Sequence, residues 1–343
     1  MKTKHTEIEI LQNALEILQK TTKLTVDIKP NTGRATPGPD AVIRIALQDM
    51  EWHFAVRIKD RLTRAGLILA VLQLRKFPQK GLLVARYITP PMADRLREMD
   101  IPFVDTAGNA YINEPPLFIY IKGNKPVDTY RPEPTTRAFR PAGLQVVFAL
   151  LCNPGLENAP FREIAKGATV ALGTVGRVIQ DLKQMGYLID MGTRGRRLIR
   201  KDNLLARWVA AYPEQLRPKQ LIGRYTATNH DWWRHAELHT LKAYWGGEIA
   251  ATMLTKYLKP QNATIYTNRP LGKLLLKNKI KKDPNGDIEI LKAFWEFEYN
   301  WPHRNLVHPL LIYADLLATG DARNIETARI IYEQELTRLI RED

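Results

Sequence analysis

A single cysteine, Cys152, stands in 343 residues, so the chain has neither a disulfide framework nor a cysteine-based zinc site. No apolar run approaches the roughly 20 residues that a bilayer-spanning helix needs. The segment Met1–Leu24 does not read as a signal peptide. Lys2, Lys4, Glu7, Glu9, Lys20 and Lys23 surround Ile8, Leu11, Leu15 and Leu18 at helical spacing, which predicts an amphipathic helix. Repeats of fixed period and low-complexity tracts are also missing. These absences lead us to expect a cytoplasmic protein without a membrane partner. Acidic residues are scarce as well, with 36 Asp and Glu against 51 Lys and Arg. The resulting charge of +15 favours a polyanionic partner, nucleic acid first, over a merely solubilising basic surface.

The length exceeds what one small core accommodates. Residues 1–130 alternate strand and helix signals. Ala41–Leu47 and Trp52–Ile58 read as neighbouring strands around a turn at Gln48–Glu51, Leu62–Phe77 as a helix, and Gly81–Ile88 as a buried strand. Pro90–Met99 reads as a helix, and Phe103-Val104 and Leu117–Lys122 as strands, so an α/β layer is expected. A Pro- and charge-rich stretch from Lys125 to Pro141 predicts a linker, with its core at 131–141. Residues 202–343 read as mostly helical with at least one strand pair.

The stretch 142–201 carries the most specific pattern. Gly143–Cys152 is a first helix, stopped by Asn153-Pro154-Gly155. Phe161–Lys166 is a second, with Phe161, Ile164 and Ala165 on one face. Ala168-Thr169 turns into a third helix running to Met185, whose apolar face is Val175, Val178, Ile179 and Leu182. Its other face offers Ala171, Gly173, Thr174, Arg177 and Gln180. Small residues permit close approach to a major groove, and Thr174, Arg177 and Gln180 can donate to base edges or phosphates. Tyr187–Met191, a Gly192–Gly195 turn and Arg196–Lys201 predict a basic hairpin, the wing of a winged helix-turn-helix. Arg194 at its tip suits a minor groove or phosphate, and Arg196, Arg197, Arg200 and Lys201 suit the flanking backbone. A protein-interaction helix triple with a solvated basic hairpin is the competing reading.

Four segments resemble the AbiEi-like regulators, the antitoxins of type IV toxin–antitoxin systems. They are Phe103–Tyr111, Phe161–Leu188, Gly246–Ala251 with Tyr257–Pro260, and His308–Gly320. The resemblance implies a protein that binds promoter DNA, represses its own operon and opposes a nucleotidyltransferase-like toxin.

Catalytic readings lack complete residue sets. The first block is similar to a degenerate restriction-endonuclease fold, with Asp40 before one strand and Lys59 ending the next. The position two before Lys59, however, is Arg57, a cation where a metal needs an anion. Gly246-Gly247-Glu248 followed by Ala263–Thr267 resembles the opening of a nucleotidyltransferase core. Its strand carries Thr264, Tyr266 and Asn268 in place of paired carboxylates. Asp105–Asn109 and Asp283–Asp287 have turn chemistry. His303 and His308 lack ligand partners at metal spacing. Trp232, Trp233, Tyr244, Trp245, Trp295 and Trp301 are assigned to the core of the last block. Lys273, Lys277, Lys279, Lys281 and Lys282 form a second basic cluster, either for phosphates or an acidic partner or as a solvated face.

The expected protein is thus α+β and multidomain. It has a degenerate restriction-endonuclease-like domain (1–130), a linker (131–141), a central winged helix-turn-helix (142–201), and a C-terminal mostly helical α/β domain resembling a degenerate nucleotidyltransferase core (202–343). It is read as a non-enzymatic repressor of double-stranded promoter DNA needing no cofactor and no catalytic or metal residue. A cognate toxin and a homodimer are its expected protein partners. A metal-dependent nuclease and a toxin-neutralising interaction module are the alternatives.

Overall fold

A computed structural model describes residues 2–29, 38–126, 136–236, 238–298 and 301–340. The chain divides into two compact units, Met1–Glu133 and Pro134–Asp343. Both mix helices with sheets.

The first unit begins with α1 (Lys2–Thr22) and β1 (Thr25–Lys29). A hairpin of β2 (Ala41–Leu47) and β3 (Met50–Lys59) follows, then α2 (Arg64–Leu74), β4 (Lys80–Ala85), α3 (Pro90–Glu98) and β5 (Phe103–Asp105). It closes with β6 (Ala110–Glu114) and β7 (Leu117–Ile121). The seven strands lie side by side in sequence order. The central pairs β3–β4 and β4–β5 are parallel and the flanking pairs antiparallel. Parallel neighbours need a crossover, and α2 and α3 supply it. On α1 the buried stripe is Ile10, Leu11, Ala14, Leu15 and Leu18, packed on Ile43, Ile45, Phe54, Val56, Leu82 and Val84. Ile8, expected in that stripe, is instead 47% exposed, and the buried stripe begins at Ile10. α2 is apolar nearly all round and is buried from Ala65 to Val71. It approaches β4 so closely that a Cβ on Gly81 would lie 2.6 Å from the Cβ of Leu74. The strands β1 and β6 have no counterpart among the sequence expectations.

The second unit opens with a 3-10 turn, Arg137–Phe139, followed by α4 (Pro141–Cys152), α5 (Phe161–Gly167) and α6 (Leu172–Gln184). A hairpin of β8 (Leu188–Asp190) and β9 (Arg196–Leu198) comes next, then α7 (Lys201–Gln215), α8 (Arg217–Gln220) and β10 (Leu221–Ala227). The remainder is β11 (Ala243–Gly246), α9 (Gly247–Thr255), β12 (Ala263–Thr267), α10 (Gly272–Lys277), β13 (Ile280–Lys282), β14 (Ile288–Lys292), α11 (Pro309–Thr319), α12 (Ala322–Ile331) and α13 (Thr337–Ile340). Of the expected linker 131–141, residues 131–135 lie outside the described residues; Pro141 already begins α4.

At least one strand pair was expected here, and five strands form one sheet in the order β11-β12-β14-β10-β13, with β12 and β14 parallel. This sheet and the α4–α6 helices share a core. Phe148 of α4 stacks on Trp208 of α7 at 5.3 Å and meets Phe294 at 5.1 Å. Trp208 Nε1 donates to the Leu144 carbonyl at 2.8 Å. Gln145 and Thr169 donate to the Phe294 carbonyl, and the Glu296 N–H donates to Gly167 O. Trp232, Trp245 and Trp295 are buried as expected, while Trp233, Tyr244 and Trp301 are half-buried.

Candidate nucleic-acid interface

The helix α6 is built around Val175, Val178, Ile179 and Leu182, all buried. Each such side chain contributes about 1.5–3 kcal/mol when withdrawn from water, so rotation of this helix on its bundle is strongly opposed. Its opposite face is thereby set. Gly173, Arg177 and Gln180 are exposed and Thr174 is half-buried. Space around the Gly173 Cα is open. The N-cap, Ala171, has no side-chain acceptor to satisfy the first-turn N–H groups. Leu172 opens the helix with half of its surface exposed, a feature that the periodicity argument passed over. The entry into α6 is sharp, with Thr169 at φ 52° and the Val170 N–H returning to Ala165 O.

Next to α6 stands the hairpin. Its ladder pairs Leu188 with Leu198, Ile189 with Arg197 and Asp190 with Arg196. Leu188 and Leu198 are buried and so anchor one face. Gly192 and Gly195 take the positive φ values of the turn, 64° and 80°. Asn158 clamps β9 from the side by accepting from the Arg196 N–H and donating to the Arg196 carbonyl. Lys183 of α6 bonds Asp190 of β8 at 2.7 Å. That bond, with the Gly192 N–H, holds the Asp190 carboxyl below its usual range.

The five basic residues expected on the wing separate into different environments. Arg194 is exposed at the tip. The Arg196 guanidinium lies 4.9 Å over the Phe161 ring and donates to Ala159 O, which makes it in part a packing residue. Arg197 is half-buried on the other face beside Ile189. Arg200 and Lys201 are not on the strand, which ends at Leu198. Arg200 is the N-cap of α7 at φ 53° with its guanidinium near Tyr187, and Lys201 is the first residue of that helix. Sequence reasoning missed Arg207, nearly two turns further along α7, whose guanidinium lies 4.3 Å over Phe139. It also missed Arg162 and Lys166, both exposed on α5. Residues 136–201 carry eleven Lys and Arg against four Asp and Glu, so about half of the chain's positive excess sits in a fifth of its length.

The groups weighed for catalysis are engaged otherwise. Asp40 receives Arg57 at 2.8 Å on one oxygen and the Ile58 N–H at 2.7 Å on the other. Asp105 is fully buried and accepts from Ile88, Ala107 and Asn109 N–H groups and from the Asn109 amide. Burial raises its pKa and those hydrogen bonds oppose the rise. Glu248 ties the Gln261 and Asn262 N–H groups to Asn324. Asp283 closes a turn by accepting from the Asn285 N–H. On β12, Tyr266 donates to buried Asp315 at 2.8 Å and touches the Tyr212 hydroxyl. Asp315 also receives Arg217 at 2.9 Å, and Glu289 bridges Arg217 and Arg224. Burial raises the Asp315 pKa, against the pull of Arg217. His308 caps α11, accepting from the Leu310 N–H, and His303 meets the Trp301 ring edge-on. Lys273, Lys277, Lys279, Lys281 and Lys282 are all exposed on α10 and around the edge strand β13, where lysine also discourages edge-to-edge pairing.

Among the described residues no helix is long and apolar enough to cross a membrane. Comparison with curated proteins and with solved structures gives no match. Residues 197–337, from β9 through the start of α13, match the family described as "Transcriptional regulator, AbiEi antitoxin, Type IV TA system". That description is one of regulation and not of catalysis. Over this segment, somewhat less than half of the chain, the protein is similar to the AbiEi antitoxins, described as transcriptional regulators of type IV toxin–antitoxin systems.

Proposed function

We propose that the chain is a sequence-specific regulator that binds double-stranded promoter DNA through residues 142–201, acting as a winged helix-turn-helix. In this reading α6 enters the major groove. Thr174, Arg177 and Gln180 contact base edges or phosphates, and Leu172 lies against a thymine methyl. Arg194 reaches a minor groove or phosphate from the hairpin, with Arg196, Arg197, Arg200 and Lys201 along the flanking backbone. The observation that carries the reading is the pairing of an exposed polar, small-residue helix face with a basic hairpin clamped beside it. Occluding its own promoter requires no chemistry, which agrees with Asp40 being bonded to Arg57 and with a strand β12 that presents Thr264 and Tyr266.

The blocks 1–130 and 202–343 are assigned as scaffold or partner-binding domains, related to restriction-endonuclease-like and nucleotidyltransferase-like folds. They would meet a cognate toxin, and a homodimer would match a two-fold operator. The test is binding of the purified protein to its own upstream duplex and to a scrambled duplex across a salt series. Specific binding that survives physiological salt is expected. Equal, weak binding to both duplexes refutes the reading and leaves only charge.

A further inference from the structure

At the base of the hairpin lies a cavity of about 290 Å³ that the DNA reading does not use. Its walls include Leu150 and Leu151 at the end of α4, Leu339 of α13, and Arg197 and Lys201. Glu157 completes them from the 3-10 turn Leu156–Asn158. That residue is only 8% exposed, and its Oε2 has no hydrogen-bond partner. A carboxylate oxygen closed off from water is costly unless a donor meets it. The cavity therefore combines an apolar floor, one unmet acceptor and two cationic side chains in its walls.

We propose that this cavity binds a small aliphatic zwitterion of the amino-acid class. The ammonium pairs with the Glu157 carboxylate, and the apolar body rests on Leu150, Leu151 and Leu339. The carboxylate lies in the positive potential of Arg197 and Lys201. A volume at the bottom of the roughly 300–1,000 Å³ range of ligand sites suits a single amino acid and not a dinucleotide. The regulatory consequence rests on the proposed DNA reading: Arg197 and Lys201 also belong to the DNA face. A bound carboxylate competes with phosphate for them and weakens the grip on DNA.

The probe is L-leucine, titrated calorimetrically into the full chain without DNA. A saturable heat is expected. The amine-free analogue 4-methylpentanoate should bind at least about tenfold more weakly, because Glu157 stays unpaired. Glu157→Gln should narrow that difference. Leu339→Trp, which fills the cavity from its rim, should abolish the heat while melting like wild type by circular dichroism. No saturable heat with L-leucine, or equal affinity for the two compounds, overturns the site. In a second arm, saturating L-leucine should lower affinity for the upstream duplex severalfold in wild type and leave Glu157→Gln unaffected. Leucine binding without that change overturns the regulatory part. If no duplex is bound specifically, the DNA reading falls and calorimetry still decides the site. If the duplex binds and leucine gives no heat, the site falls alone.

Discussion

Lowering the pH should destabilise the second unit through one residue, His308. Its ring is 6% exposed and packs edge-on against Phe148 at 6.3 Å, and its Nδ1 accepts the Leu310 N–H that opens α11. That bond requires Nδ1 without a proton. Burial accordingly lowers the imidazole pKa to about 3, against the usual value of about 6.5. The unfolded chain takes up a proton that the folded chain refuses, so stability falls as pH drops from about 6.5 toward about 3. Linkage between those two values gives a loss of about 2 kcal/mol between pH 7.5 and pH 5. Urea unfolding followed by tryptophan fluorescence at both pH values measures it. His308→Asn is the control, since Asn is a good N-cap and does not titrate. Wild type should lose about 2 kcal/mol more than the variant over that interval. Equal losses in the two proteins would show that His308 is not the group that refuses the proton.

Removing the guanidinium in Arg217→Met leaves Asp315 buried with only tyrosine hydroxyls as donors and should cost about 3–5 kcal/mol in urea unfolding. A loss below about 1 kcal/mol would mean that water or another cation reaches Asp315. On the DNA side, Arg177→Ala should relax base preference. Arg194→Ala should weaken binding to all duplexes and reduce the salt slope by about 1. If both variants bind like wild type, the face assigned to DNA is wrong. Replacing thymine by uracil throughout the upstream duplex removes the C5 methyl groups. It should weaken wild type more than Leu172→Ala, and an identical effect on both proteins removes Leu172 from the contact.

Elements defined by near neighbours were legible in the sequence. The alternation in Ala41–Leu47 and the 3-1-3 spacing of Val175, Val178, Ile179 and Leu182 each name a buried face directly, because the periods of strand and helix differ. Arg57 announced the fate of Asp40, since a cation at that register favours an ion pair over a metal. The turn at Asp283 follows from side-chain chemistry within a few residues.

Tertiary structure decided what pairs at long range. β6 shows no clean alternation and β1 alternates over only five residues, Thr-Val-Asp-Ile-Lys, too short a run to name a strand without the partners that pair with it. The parallel pairing of β12 with β14 joins residues some 25 positions apart. The seating of Phe294 on Phe148 spans far more of the chain. The basic hairpin shows the same division. Composition identified a charged wing, but only packing drew Arg196 over Phe161, placed Arg200 and Lys201 at the start of α7, and left Arg194 in solvent. Spacing along a chain reports which side chains share a face of one element. Which element covers that face depends on the shape and burial of residues that the local pattern does not contain.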